Sequence, residues 1–208
     1  MSLRAVVLAG SRPGAPDPVA AAEGVAHKVL ATVAGQTLLE RVVRALGEAE
    51  VEEVAVSASH PAVEAEARRL GATLLPTARG PSESVALAFE RFGAPLLVTT
   101  GDHPLLEAAW VQQLVEATPS DADVSLMLAE RSRVEAAAPE THRTWLRFAD
   151  GQWSGCNLFL LASPAACRAI AAWKQVEADR KREFAPPPGM PIGAGEDCWF
   201  CEPVSLGR

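Results

Sequence analysis

The chain has 208 residues, of which 26 are acidic and 19 basic, giving a formal net charge of −7. That length suits one large domain able to bury roughly 70–75% of its unfolded surface, and the acidic balance repels nucleic-acid phosphates and anionic membranes. No stretch reaches the ~18 consecutive apolar residues of a membrane span, and the run Ala5 to Ala9 is too short for a secretory segment, so a cytoplasmic protein is expected.

Residues 3–9, LRAVVLA, form a short apolar run closed by Gly10 and read as a buried strand. A long Gly-, Pro- and Ala-rich loop follows over 10–27, before Lys28. In GQTLLERVVRALGEAE the period changes: Leu38, Leu39, Val42, Val43 and Leu46 fall at helical spacing, and Thr37 with Glu40 forms a capping box. Strand 53–59, helix 61–70 and strand 72–76 come next, then helix 82–92 ending at Gly93 and the apolar strand 95–100. A helix carrying Leu106, Trp110 and Leu114 follows. Strands alternating with helices predict a mostly parallel sheet covered on both faces.

Beyond Asp121 the texture changes. DVSLML is strand-like, 130–141 is a polar, Ala-rich connection, and TWLRFADGQWSGCNLFLL predicts an antiparallel hairpin turning at Asp150–Gly151. Trp145 and Trp153 flank that turn and are expected to pair across the strands or to edge a pocket. Ser163 and Pro164 open a last helix. The expected fold is therefore a three-layer α/β/α sandwich over residues 1–183, with an irregular Pro/Gly-rich tail over 184–208. Four cysteines, Cys156, Cys167, Cys198 and Cys201, do not suggest disulfides; the C-x-x-C pair at 198–201 lacks the matching pair that structural zinc needs.

In a parallel sheet the strands' carboxyl ends share one edge, where ligands bind. The loops at 10–27, 77–84 and 100–104 all open onto it. The first supplies Gly10 and Gly14 for close backbone approach, Arg12 for fork-like pairing with phosphate, and then Lys28 as a compact cation. This suits a polyphosphate, although neither common phosphate-loop template is matched and a merely flexible loop has the same composition. Asp102 follows a buried strand, with Gly101 leaving room beside it; it suits either magnesium or an Asx-turn before Pro104. His103 and His27 stand beside these residues as candidates for proton transfer and phosphate contact respectively.

The segments VVLAGSRPG, HKVL, VAGQTLLERVVRAL, GPSESVALA, LLVTTGDHPLL and SGCNLF together resemble the molybdenum-cofactor guanylyltransferase-like and sugar-phosphate nucleotidyltransferases. The resemblance covers about residues 3–180. It implies a glycosyltransferase-A-like, Rossmann-like nucleotide-binding fold and transfer of a nucleoside monophosphate from a nucleoside triphosphate to a phosphorylated small-molecule acceptor, with release of pyrophosphate. By the same resemblance, Leu8, Ala9, Gly10, Ser11, Gly14, Gly80, Ser84 and Gly101 would receive the nucleotide, and Arg12 and Lys28 its phosphates. Asp102 would hold magnesium, and Gly155 and Asn157 would face the acceptor. Such a protein works alone or as a homodimer.

Three departures accompany the resemblance. Ser11 replaces a usual second glycine, His27 precedes Lys28, and the late aspartate that would complete a metal site is matched only by Asp197, the one Asp of the tail, in an irregular context. They leave open a second expectation, a nucleotide- or nucleotide-sugar-binding module without turnover. A dehydrogenase-like dinucleotide fold is disfavoured because the first loop lacks the glycine fingerprint.

Overall fold

The computed structural model describes residues 2–11 and 17–181. Arg12, Gly14 and the expected tail, with Trp199, Asp197 and the 198–201 cysteine pair, lie outside the described residues. In chain order the elements are β1 (Arg4–Leu8), α1 (Pro18–Ala22), β2 (Thr32–Val33), β3 (Gln36–Thr37), α2 (Leu38–Glu48), β4 (Glu53–Ser57), α3 (Pro61–Arg69), β5 (Thr73–Leu75) and α4 (Pro81–Phe92). There follow β6 (Leu96–Thr100), α5 (Ala108–Ala117), β7 (Val124–Glu130), α6 (Arg131–Ala137), β8 (Leu146–Phe148), β9 (Gly151–Leu161) and α7 (Cys167–Lys181).

The main sheet runs in the order β5-β4-β1-β6-β9-β7, with β8 also paired to β9. β5, β4, β1 and β6 are mutually parallel, whereas β9 runs against β6, β7 and β8. Strand order reverses at β1, which lies between β4 and β6, with Leu8 level with Ser57 and Thr100. The carboxyl ends of β1, β4 and β6 thus form one rim at the switch point, where α/β sheets bind ligands.

The continuous apolar runs feed two cores. Because successive side chains of a strand point to opposite faces, Ala5, Val7 and Leu97 join α2, α3 and α5 on one side, while Val6, Leu96 and Val98 join α4 and α7 on the other. This is the three-layer sandwich that the strand–helix alternation predicts. No helix among the described residues is long and apolar enough to cross a membrane.

Several local features differ from the expectations. The 10–27 loop contains α1, and a 3-10 turn at Lys28–Leu30 with the β2–β3 hairpin precedes α2. Leu106 lies just before α5 rather than in it, yet is still buried. The polar connection at 130–141 contains α6, whose good helix formers and Arg131–Glu135 ion pair at 2.6 Å support a turn too short to show periodicity. The hairpin turns at Ala149–Asp150, one residue earlier than expected, since Phe148 is level with Gly151. Opposite Trp153 stands Leu146, not Trp145, which lies instead under the Arg131 guanidinium at 5.4 Å.

The Thr37 cap is present, its hydroxyl accepting from the Glu40 backbone N–H at 3.0 Å. Glu40 does not fold back to complete a box, however. Its carboxylate accepts from Arg69 at 2.6 Å, and Arg69 also grips Glu66, which in turn accepts from the Thr37 hydroxyl at 2.7 Å. The charge cluster joins α2 to α3 instead. Leu97, fully buried in the middle of β6, is central to the core on the α2 side. Leu97→Ala is expected to cost about 2–5 kcal/mol, measured as a lower denaturant midpoint at unchanged slope.

Candidate functional site

The rim begins where β1 ends. Ala9 continues the ladder, its N–H donating to the Ser57 carbonyl at 2.9 Å, and Gly101 does the same on the other flank, donating to the Leu8 carbonyl at 2.9 Å. Ala9 is buried, while Gly10 and Ser11 are exposed beyond it. The chain next described is Asp17, whose carboxylate caps α1 by accepting from the N–H groups of Val19 and Ala20.

His27 sets the next step. Its Nδ1 accepts from the Val29 N–H at 3.2 Å, so the imidazole caps the Lys28–Leu30 turn. The side chain is buried, and burial, followed by the nearby His60 and Lys28, pushes its pKa down. A ring committed in this way braces the turn that carries Lys28.

Gly101 explains how the turn comes so close. A Cβ at this position would lie 3.1 Å from Val29 Cγ1 and 3.5 Å from both Ala9 Cβ and Leu39 Cδ1. The missing side chain lets Val29 lie against the rim, with Lys28 directly over the end of β6. From the other side, Arg41 of α2 donates to the Pro104 carbonyl at 2.9 Å and pins the turn after Asp102.

The result is a close ion pair. Lys28 Nζ stands 2.5 Å from Asp102 Oδ2 and 3.9 Å from Asp17 Oδ2. Burial alone would raise the Asp102 pKa, but the Lys28 ammonium, the Thr100 hydroxyl and the backbone together outweigh it and hold the carboxyl below its ordinary range. His103 packs its ring beside Trp110, with centroids 6.1 Å apart and its Nδ1 buried, and burial pushes its pKa down as well.

Leu8, Ala9, Gly10, Lys28, Gly101 and Asp102 therefore meet on one rim. The 77–84 segment is arranged differently: Ser84 is buried, accepting from the Ala78 N–H at 3.0 Å and donating to the Gly80 carbonyl at 3.1 Å. Gly80 is covered by Glu177 of α7, whose Oε1 would lie 1.7 Å from an added Cβ. Glu177 accepts from the Ser82 N–H at 3.1 Å and hydroxyl at 2.5 Å, at the first turn of α4. Gly155 and Asn157 lie on β9 just beyond Leu158, the last residue level with β6; both are exposed, and a Cβ on Gly155 would meet open space. Asp17, Arg41 and Glu177 carry no sequence signal that points to these contacts.

The sheet thus reverses at β1, and a lysine and an aspartate from distant segments converge at that point. The chain belongs to the family of the MobA-like NTP transferase domain, which it matches over residues 5–185. A hypothetical transferase from Thermus thermophilus shares 31% identity at a TM-score of 0.72, covering 88% of this chain and 74% of that one. A nucleotidyl transferase from Methanothermobacter thermautotrophicus shares 24% identity at a TM-score of 0.59, over 85% of this chain and 83% of its own. The same fold appears in a CMP:2-keto-3-deoxy-manno-octonic acid synthetase complexed with CTP, at 17% identity and a TM-score of 0.60, over 84% and 78% of the two chains. No curated protein matches the sequence.

Two outcomes follow from the packing. Gly101→Ala must displace Val29 and is expected to cost about 1–3 kcal/mol in chemical denaturation. His27 has a folded pKa below its ordinary 6.5, so the unfolded chain binds the proton first, and stability is lost as pH falls through that value. The thermal midpoint should drop between about pH 7.5 and about pH 5.5, and His27→Gln should flatten that slope while His103 sustains the remainder.

Proposed function

We propose that the protein transfers a nucleoside monophosphate from a nucleoside triphosphate to a phosphorylated small-molecule acceptor, releasing pyrophosphate. The observation that carries this reading is the convergence of Lys28 and Asp102 on the rim at the switch point. In the reaction an acceptor phosphate oxygen attacks the α-phosphorus, a new P–O bond forms, and the bond to the β-phosphate bridging oxygen breaks.

A phosphate monoester, with its second pKa near ~6, is already largely ionised at neutral pH, so the nucleophile needs no general base. The protein's work is alignment and charge neutralisation. Lys28, released from Asp102 as the nucleotide enters, faces the triphosphate; Arg12 is assigned the same role by the family resemblance. The backbone of Leu8, Ala9, Gly10, Ser11 and Gly14 receives the nucleotide, Gly80 and Ser84 shape the segment beside the base, and Gly101 keeps the floor low.

Asp102 fits magnesium by its chemistry, since it is an ionised carboxylate already stabilised beside a cation. Among the described residues no group of three or more His, Cys, Asp or Glu side chains surrounds it, so such an ion would draw its other ligands from phosphates and water, as magnesium commonly does. When bound, the ion supplies neutralisation of the departing pyrophosphate charge.

The test is pyrophosphate release over a panel of nucleoside triphosphates and phosphate monoesters, with magnesium and after chelation. Lys28→Ala and Asp102→Asn should each lower kcat/KM by about 100-fold or more without a comparable loss of thermal stability. Thermal stabilisation by a nucleotide with no turnover for any pair would instead identify a nucleotide-binding module.

A further inference from the structure

The 77–84 segment borders the rim through Thr77, whose Cγ2 would lie 3.4 Å from a Cβ added at Gly10. Beyond it the chain turns into α4 without a cap of its own, because Gly80, at the N-cap position, has no side chain to offer. The nearby polar groups serve the loop itself: Ser84 bridges the Ala78 N–H and the Gly80 carbonyl, and Glu83 accepts from the Arg79 N–H at 3.2 Å. Ser82 is nevertheless buried, so its N–H and hydroxyl need a partner from elsewhere.

They find it on α7. Ile170, Trp173 and Glu177 stand three and four residues apart and so share one face of that helix. Ile170 is buried in the core that also holds Val85 and Ala88 of α4, and Trp173 packs against the same core, its ring centroid 6.1 Å from that of Phe159. These two apolar contacts fix the rotation of α7, and the next turn brings the Glu177 carboxylate over the start of α4. One of its oxygens, Oε2, accepts from both Ser82 groups. The carboxylate as a whole lies on Gly80, where an added Cβ would collide with Oε1, Cδ and Oε2 alike.

We propose that Glu177 is a positioning residue of the nucleotide site: it replaces the missing cap of α4 and thereby sets where Thr77, Gly80 and Ser84 stand relative to Gly10. The proposal rests on the nucleotidyltransferase reading, in which this segment lies beside the base, and it makes nucleotide affinity depend on a carboxylate contributed by α7. Without that carboxylate two buried donors lose their partner, and the first turn of α4 relieves them by shifting toward water, carrying Gly80 with it. The negative charge also suits the positive end of α4, so a neutral substitute holds the turn less firmly.

The experiment uses the full chain. Thermal shift with ATP, GTP, CTP and UTP in magnesium finds the nucleotide that binds. Titration calorimetry then measures its Kd for wild type, Glu177→Ala, Glu177→Gln and, as a control for lost packing on the same helix face, Ile170→Val, while hydrogen exchange follows the amides of 82–85. The expected result is a Kd raised about 10-fold in Glu177→Ala, less in Glu177→Gln, which keeps one acceptor oxygen, and not at all in Ile170→Val, with faster exchange in the two Glu177 variants. An unchanged Kd in Glu177→Ala, whatever the exchange rates, leaves Glu177 a cap of α4 alone and overturns the proposal. So does an equal rise in Ile170→Val, or a tighter Kd in Glu177→Ala, the mark of a carboxylate that obstructs the base. In each of these cases the nucleotide reading stands; failure of wild type to bind any of the four overturns both.

Discussion

The organising constraint of this molecule is the approach of one ammonium to one carboxylate across the sheet's switch point. Lys28 reaches Asp102 where three unrelated features agree: Gly101 has no side chain to hold Val29 away, His27 caps the turn that Lys28 opens by accepting from the Val29 N–H, and Arg41 anchors the chain at Pro104. Each is modest alone. Together they place opposite charges from segments more than seventy residues apart within contact, in surroundings where burial works against the carboxylate and the lysine, with Thr100 and the backbone, offsets that penalty.

The pair also describes how the resting site is balanced. A carboxylate held ready for a cation is already served by the protein's own cation, and a lysine suited to phosphate is meanwhile neutralised by Asp102 and more distantly by Asp17. An incoming triphosphate exchanges partners rather than meeting bare charges, so the rim avoids the cost of an unpaired group in either state.

What the sequence disclosed follows from which signals are local. The runs VVLA and LLVTT, each closed by a turn, marked β1 and β6 and hence the shared edge on which Lys28 and Asp102 meet. The three-layer architecture came from the alternation of periods, and the family from the order of short motifs. Long-range partnerships stayed hidden: nothing near Gly80 signals that a glutamate from α7 will cover it, and nothing near Glu40 signals that Arg69 will claim its carboxylate. Irregular stretches were read too plainly, because α1 and α6 are shorter than the window over which periodicity emerges, and Trp145 pairs with a cation on α6 rather than with the tryptophan across the turn.

The contact between Glu177 and Ser82 spans 95 positions, and the partner of β6 on its second edge likewise arrives late, at Leu158 to Leu161. During synthesis the parallel half of the sheet therefore emerges from the ribosome with a bare hydrogen-bonding edge along β6 and an unsealed start to α4. Such an edge invites pairing with other nascent chains until β9 is made. The interval ends when β9 covers the edge of β6 and α7 closes over the start of α4.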